Sequence, residues 1–298
     1  MVVDSKLNTI YSALATPFNS DESLNVEALR KLVNLELENG VEGFYCCGSS
    51  GEGLLLSNEE RKKFLEVVIE EVNGRVPVIS HIGTIRTADV IDLAKHAKSV
   101  GADAVSMIPP YYYKFSMKEI INYYLDVVKA VNDLPVIVYN IPQFTGVSFN
   151  KDNAGELLEN PNVIGIKHTS TDLFGLERMK TNFPDKIYFN GFDEIFLSGL
   201  AAGATAAIGT TVNLYPKTFR KIKDLFDAGE IEHAMKIQKL VNHRVEEMVN
   251  VGIFSAVKYL FYKQGLDIGT CRKPFGELTS EQKAKLDVLF NEGFKVEE

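Results

Sequence analysis

The segment VIGIKHTS (163–170) places an amine at the end of an apolar run and follows it with hydroxyls. A buried strand explains the isoleucines, the valine and the glycine. It does not explain Lys167. Partial burial disfavours the charged form of a lysine. The free amine can then attack a ketone and form an imine. Imine chemistry needs a proton carrier, and a phenol can serve. PVIVYNIP (135–142) supplies one, Tyr139, at the end of a neighbouring apolar run. GSSGEG (48–53) supplies a third component: its backbone N–H groups, with the Ser49 and Ser50 hydroxyls, suit a carboxylate.

Taken singly, each feature has a plainer reading. Most lysines at strand ends are solvated, and Lys114 is a rival amine in the loop after PPYYY (109–113). A tyrosine such as Tyr139 usually belongs to a core with its hydroxyl satisfied. GSSGEG can be an ordinary strand-to-helix loop. It is not a P-loop, because no GK[ST] follows, and it is not the GxSxG elbow of a serine hydrolase. Cys47 is a conceivable nucleophile without an assignable activating partner. The five histidines show no HExxH or paired-cysteine spacing, so no metal site is indicated. Joint placement at one end of one fold is what favours the chemical reading.

That placement follows from a recurring unit. Short apolar runs occur at 9–18, 42–49, 76–83, 103–110, 135–142, 163–170, 186–191 and 205–211. Segments of helical periodicity separate them, such as 25–40, 57–74 and 87–101, which often finish in glycine. Ser57 and Glu60 form a predicted capping box. Continuous apolar strands mark parallel pairing covered on both faces. Eight such units predict an α/β chain folded as a (β/α)8, or TIM, barrel. An open doubly wound sheet also alternates, but no GxGxxG opens the first helix. After about residue 215 the strands stop. The reading is a barrel over 1–228 and a C-terminal three-helix extension over 229–298, packed on the barrel.

In a barrel, chemistry belongs at the C-terminal strand ends. There the sequence collects Ser49, Ser50, Tyr111, Tyr112, Tyr113, Tyr139, Asn140, Lys167, His168, Thr169, Gly191, Asp193, Glu194 and Thr210. The 298-residue chain is 45% hydrophobic with formal net charge −8, an ordinary globular balance that argues against nucleic acid as a partner. No apolar run is long enough to suggest a membrane span, and the N-terminus lacks the pattern of a secretory signal. Three cysteines, an odd and sparse count, fit a reducing cytoplasm.

Five stretches, GSSGEG (48–53), PPYYYKF (109–115), YNIPQFTGV (139–147), GIKHTS (165–170) and NGFDEIFLSGLAAGA (190–204), together resemble the N-acetylneuraminate lyases. These belong to the pyruvate-dependent class I aldolase superfamily, which also contains dihydrodipicolinate synthase. The resemblance runs from about residue 8 to CRKPFG (271–276). It implies that Lys167 is the Schiff-base lysine, Tyr139 the proton-moving phenol, and Tyr112 its support through a hydroxyl. Tyr113 is then available to reach a neighbouring subunit. Ser49 and Ser50 would hold the keto-acid carboxylate, with Ser50 where threonine is common. Thr169, Gly191, Asp193, Glu194 and Thr210 would line the pocket for the sugar's hydroxyl tail. His168 and Cys47 receive no role.

Dihydrodipicolinate synthases typically carry an arginine where this chain has Phe144, and a phenyl ring cannot replace a bidentate guanidinium. The resemblance therefore implies reversible cleavage of N-acetylneuraminate to N-acetylmannosamine and pyruvate, with no cofactor. It also implies a degradative role and a homotetramer built as a dimer of dimers. The alternatives are a 2-keto-3-deoxy sugar acid aldolase, dihydrodipicolinate synthase, and a non-catalytic keto-acid or sugar sensor.

Overall fold

A computed structural model describes residues 5–293. The eight runs contain eight strands: β1 (Ile10–Ala13), β2 (Phe44–Cys46), β3 (Val78–His81), β4 (Ala104–Met107), β5 (Val136–Asn140), β6 (Val163–His168), β7 (Ile187–Asn190) and β8 (Ala206–Gly209). All pair in parallel, in sequence order, and β1 closes on β8. The expected TIM barrel is therefore observed. Every strand residue is buried, as expected of a sheet enclosed by helices outside and side chains inside.

Alternation along the strands divides the core. On β5, Ile137 and Tyr139 join the inner cluster with Tyr11, Tyr45, Ile79 and Phe189, while Val136 and Val138 pack into the outer layer. The outer layer rests on helices with ordinary end signals. Ser57 and Glu60 form the predicted capping box at Asn58–Val72, which ends on Asn73 at φ 47° rather than on Gly74. Helix Thr87–Val100 ends on Gly101, as expected. The β5–β6 connection departs from the regular unit: it carries two single turns, Pro142–Thr145 and Gly155–Leu158. Pro142 starts the first of these and Gly146, at φ 70°, stops it.

One irregularity matters for the site. Val136 pairs with Val163, but Ile137 pairs with Gly165, so β6 carries one extra residue. Val163 faces the outer layer. Simple alternation would turn Lys167 outward as well. The bulge reverses that parity: Ile166 packs outward and Lys167 lies among inner-cluster tyrosines. Gly165 permits the bend, because a Cβ there would lie 2.2 Å from the Ile187 carbonyl oxygen.

Beyond helix Pro216–Asp227, three helices, Ile231–Val251, Ile253–Lys263 and Ser280–Asn291, form the C-terminal extension. Ala234, Ile237, Val241 and Val245 of the first share a buried cluster with Phe196, Leu200 and Phe219. Among the described residues no helix is long and apolar enough to cross a membrane.

Candidate active site

The inner wall on β2, β5 and β6 is aromatic. Tyr139 and Lys167 are register partners, and both are buried. The Lys167 Nζ lies 4.0 Å from the centre of the Tyr139 ring and 4.5 Å from that of Tyr45. The two rings meet edge to face at 6.2 Å. The Tyr45 hydroxyl is 3.0 Å from Ser106 Oγ, and burial holds its phenol well above the ordinary range. His81 completes the wall, with its ring 5.8 Å from that of Tyr139. Its Nδ1 lies 3.1 Å from the Cys47 carbonyl, so the ring donates there and ties β3 to the turn after β2. Burial, then Arg61 and Lys167, push this imidazole well below its ordinary pKa, so it is neutral.

The next stretch of the rim, at the ends of β7 and β8 beside β6, is polar. Asp193 Oδ2 accepts from the Thr211 N–H at 2.7 Å and from its hydroxyl at 2.8 Å. Burial pushes the Asp193 carboxyl up to about 6, against the pull of those two bonds. Glu194 is half-buried beside it. Thr169 Oγ1 is buried with no protein partner among the described residues. Gly191 makes room for it: a Cβ there would lie 1.9 Å from that oxygen. A substrate hydroxyl is the kind of group that satisfies such an atom.

The third side is the turn after β2. The N–H groups of Ser49 and Ser50 donate to no protein acceptor among the described residues. Ser50 Oγ meets Thr210 Oγ1 at 2.7 Å, which links the turn to the end of β8. The predicted residues thus meet in three groups: Lys167 with Tyr139, Ser50 with Thr210, and Thr169 with Gly191.

Tyr112 departs from its expected place. It is 85% exposed, at φ 75°, with its ring against Tyr113, and among the described residues no hydrogen bond joins it to Tyr139. Tyr111 is the member of the triplet that packs on the inner cluster. Lys114, the rival amine, lies with an exposed side chain in the same loop.

His168 faces away from the pocket. Its Nδ1 pairs with Asn140 Nδ2 and its Nε2 with the Asp172 carbonyl, both at 3.0 Å, so it fastens neighbouring strand ends. All three cysteines are free and buried. Burial pushes the Cys47 thiol up to about 12, the opposite of what an activated nucleophile needs.

Four supporting residues had no legible signal of function. Tyr45 reads as one more core aromatic in FYC. Ser106 and His81 sit inside apolar runs. Gln238, on the extension, donates to the Asp193 carbonyl at 3.0 Å and accepts from the Leu197 N–H at 2.9 Å. Among the described residues no group of three or more His, Cys, Asp or Glu side chains is placed to hold a metal ion.

Comparison with known proteins agrees with this architecture. A family profile described as the dihydrodipicolinate synthetase family matches residues 6–292. An N-acetylneuraminate lyase from Rhizobium meliloti (strain 1021) is 43% identical, over 94% of this chain and 93% of its own. The crystal structure of N-acetylneuraminate lyase from Fusobacterium nucleatum superposes with TM-score 0.92 at 35% identity, covering 96% of this chain and 98% of that one. A dihydrodipicolinate synthase from Bacillus anthracis superposes almost as well, at TM-score 0.91 and 29% identity, covering 95% and 97%. Backbone shape therefore does not separate the two activities. On the extent of the profile match and the 43% identity of a near full-length relative, this chain belongs to the dihydrodipicolinate synthetase family.

Proposed function

We propose that this protein is an N-acetylneuraminate lyase, a class I aldolase that cleaves its substrate reversibly to N-acetylmannosamine and pyruvate. The observation that carries the reading is the buried Lys167 amine held over Tyr139, its register partner at the strand ends. Strand-held neighbours keep a reacting pair in place more tightly than loops do.

The open-chain sugar acid enters with its carboxylate at the Ser49–Ser50 turn, whose N–H groups point to an anion. The free Lys167 amine adds to the C2 ketone, and loss of water gives a protonated imine. That cation accepts the electron pair of the C3–C4 bond. Tyr139, as phenolate or through the substrate's own carboxylate, takes the C4 hydroxyl proton as the bond breaks. N-acetylmannosamine departs as an aldehyde. The remaining enamine takes a proton at C3, and water hydrolyses the imine to pyruvate and free Lys167. The lysine supplies the electron sink, so the proposal needs no metal or organic cofactor.

Three features favour the sialic acid substrate. Phe144 offers no cation to a second keto-acid carboxylate. Asp193, Glu194 and the unpartnered Thr169 hydroxyl offer hydrogen bonds to a polyol chain. The 43% identical relative is itself named an N-acetylneuraminate lyase. The family resemblance further suggests a cytoplasmic homotetramer, checked by light scattering of the purified protein and by cell fractionation.

The test of substrate is pyruvate release from N-acetylneuraminate by purified protein, with a chelator present and no cofactor added. Release at ordinary enzymic rates supports the reading. No release, with release from a 2-keto-3-deoxy sugar acid, would keep the aldolase and change the substrate.

A further inference from the structure

The turn that offers Ser49 and Ser50 to a carboxylate is not held by the barrel alone. Two residues beyond Ser50, Glu52 adopts the left-handed backbone at φ 54°, a conformation that favours glycine. Its backbone closes the turn: the Glu52 N–H donates to the Ser49 carbonyl at 3.1 Å, and its own carbonyl accepts from Leu55. Its side chain is wholly buried and points at the C-terminal extension. Oε1 lies 2.7 Å from Nζ of Lys258, whose side chain is 2% exposed. Oε2 accepts from the Arg272 N–H at 2.7 Å.

Lys258 is fixed in turn. Nζ donates to the Thr270 carbonyl at 3.0 Å and lies 4.3 Å from the centre of the Phe18 ring. The Arg272 guanidinium lies 4.4 Å from that same ring, and it pairs with Glu60 and the Leu55 carbonyl. Helix Ile253–Lys263 and the segment after it thus grip the turn from behind.

A buried ion pair is an expensive way to hold two elements together. Removing both charges from water costs more than their attraction reliably returns, and apolar pairs of similar size commonly match or exceed such pairs in stability. What the pair supplies that an apolar contact does not is direction. A carboxylate with one oxygen on an ammonium and the other on a backbone N–H has a fixed position. A residue with fixed backbone and fixed side chain fixes the peptide groups just before it.

We infer that Lys258 and Glu52 are positioning residues for substrate recognition: their buried pair holds the Ser49–Ser50 turn in the geometry that accepts the keto-acid carboxylate. The C-terminal extension is then part of the recognition machinery, although it contributes no residue to the pocket wall at this point. The inference rests on the aldolase reading above. It assigns Lys258 and Glu52 no contact with substrate.

The experiment separates position from stability. Glu52→Leu with Lys258→Met replaces the pair by apolar groups, and the introduced thioether would rest on the Phe18 ring. In each variant, borohydride trapping of pyruvate on Lys167 is followed against pyruvate concentration, alongside the melting temperature. Hydroxyacetone, a ketone without a carboxylate, is trapped in parallel. The double variant is expected to melt near the wild-type temperature, and its half-saturating pyruvate concentration to rise about tenfold or more, the loss of one charged hydrogen bond. Trapping at saturation, and trapping of hydroxyacetone, should not change. Glu52→Gln, which keeps the shape and the acceptor for Arg272, serves if the double variant does not fold; the same rise is expected. Wild-type half-saturation in a folded variant of either kind would overturn the inference. Absence of any pyruvate adduct in the wild type would instead overturn the aldolase reading beneath it.

Discussion

Among the described residues two lysines are buried, Lys167 and Lys258, and they are buried in opposite ways. Lys258 lies against a carboxylate and a carbonyl, with one ring below it. Lys167 lies over two tyrosine rings, and among the described residues no carboxylate forms an ion pair with it. A paired ammonium is a structural tie, because its charge is balanced where it sits. An amine without a counter-ion has no such tie to break when it forms a covalent bond. The difference separates a lysine that holds the site from a lysine that reacts in it, although both are equally hidden from water.

Removing each amine in turn separates the two lysines most strongly. Lys167→Ala should reduce turnover below detection in a steady-state pyruvate assay, with little change in melting temperature. Lys258→Ala should instead cost roughly 3–5 kcal/mol of stability by denaturant titration, because it strands the Glu52 charge, and should keep turnover at saturating substrate while weakening substrate binding. Equal losses of activity at equal stability in the two variants would dissolve the distinction.

Tyr139→Phe comes next. It keeps the ring under Lys167 and removes the proton carrier. Cleavage should slow by about 10²–10⁴-fold in single-turnover measurements, while trapping of the imine persists. A variant that traps no imine would move the role of Tyr139 from cleavage to imine formation.

Gly165→Ala attacks the bulge that turns Lys167 inward. Its Cβ would meet the Ile187 carbonyl, so β6 must shift. A stability loss of roughly 1–3 kcal/mol is expected, with a fall in kcat that the loss of folded protein does not explain. Wild-type kcat on the folded fraction would show that the bulge does not aim the amine.

The most gradual of these effects is a pH dependence at the ends of β7 and β8. Asp193 binds its proton more tightly in the folded chain, at about 6, than its ordinary value of 3.8. Ionising it therefore costs folding free energy. The stabilising contribution is full below about 4 and is lost as pH rises towards 6, by at most roughly 3 kcal/mol. Asp193→Asn should flatten that decline in denaturant titrations between pH 4 and 7. In the wild type, the same ionisation should lower KM for N-acetylneuraminate as pH rises through about 6, since the carboxylate is the stronger acceptor. A KM with no inflection near 6 would remove Asp193 from the substrate's hydroxyl tail.

The two lysines also mark what the sequence disclosed. Strands were legible because burial on both faces leaves continuous apolar runs, and Lys167 stood out against one. Lys258 did not stand out, because in a helical segment such as IFSAVKYLFYK (253–263) a lysine reads as an apolar stem whose amine reaches water. Its partner Glu52 lies at the other end of the chain, and no local pattern joins them. Tyr45 was hidden for the opposite reason: inside an apolar run an aromatic reads as core, and only closure of the barrel shows that it faces the amine. The bulge at Gly165 was hidden too, since a glycine in a strand signals a break in regularity without giving its direction. Tyr112 was expected beside Tyr139. The loop of Pro109 and Pro110, with a left-handed residue at 112, carries its ring to the surface instead.

Whether Lys167 is the reacting amine is decided by incubating the protein with pyruvate and borohydride and mapping the modified residue by peptide mass. One reduced pyruvate adduct is expected, on Lys167, absent from Lys167→Ala. An adduct on Lys114 or Lys258, or an adduct that survives in Lys167→Ala, would contradict that assignment.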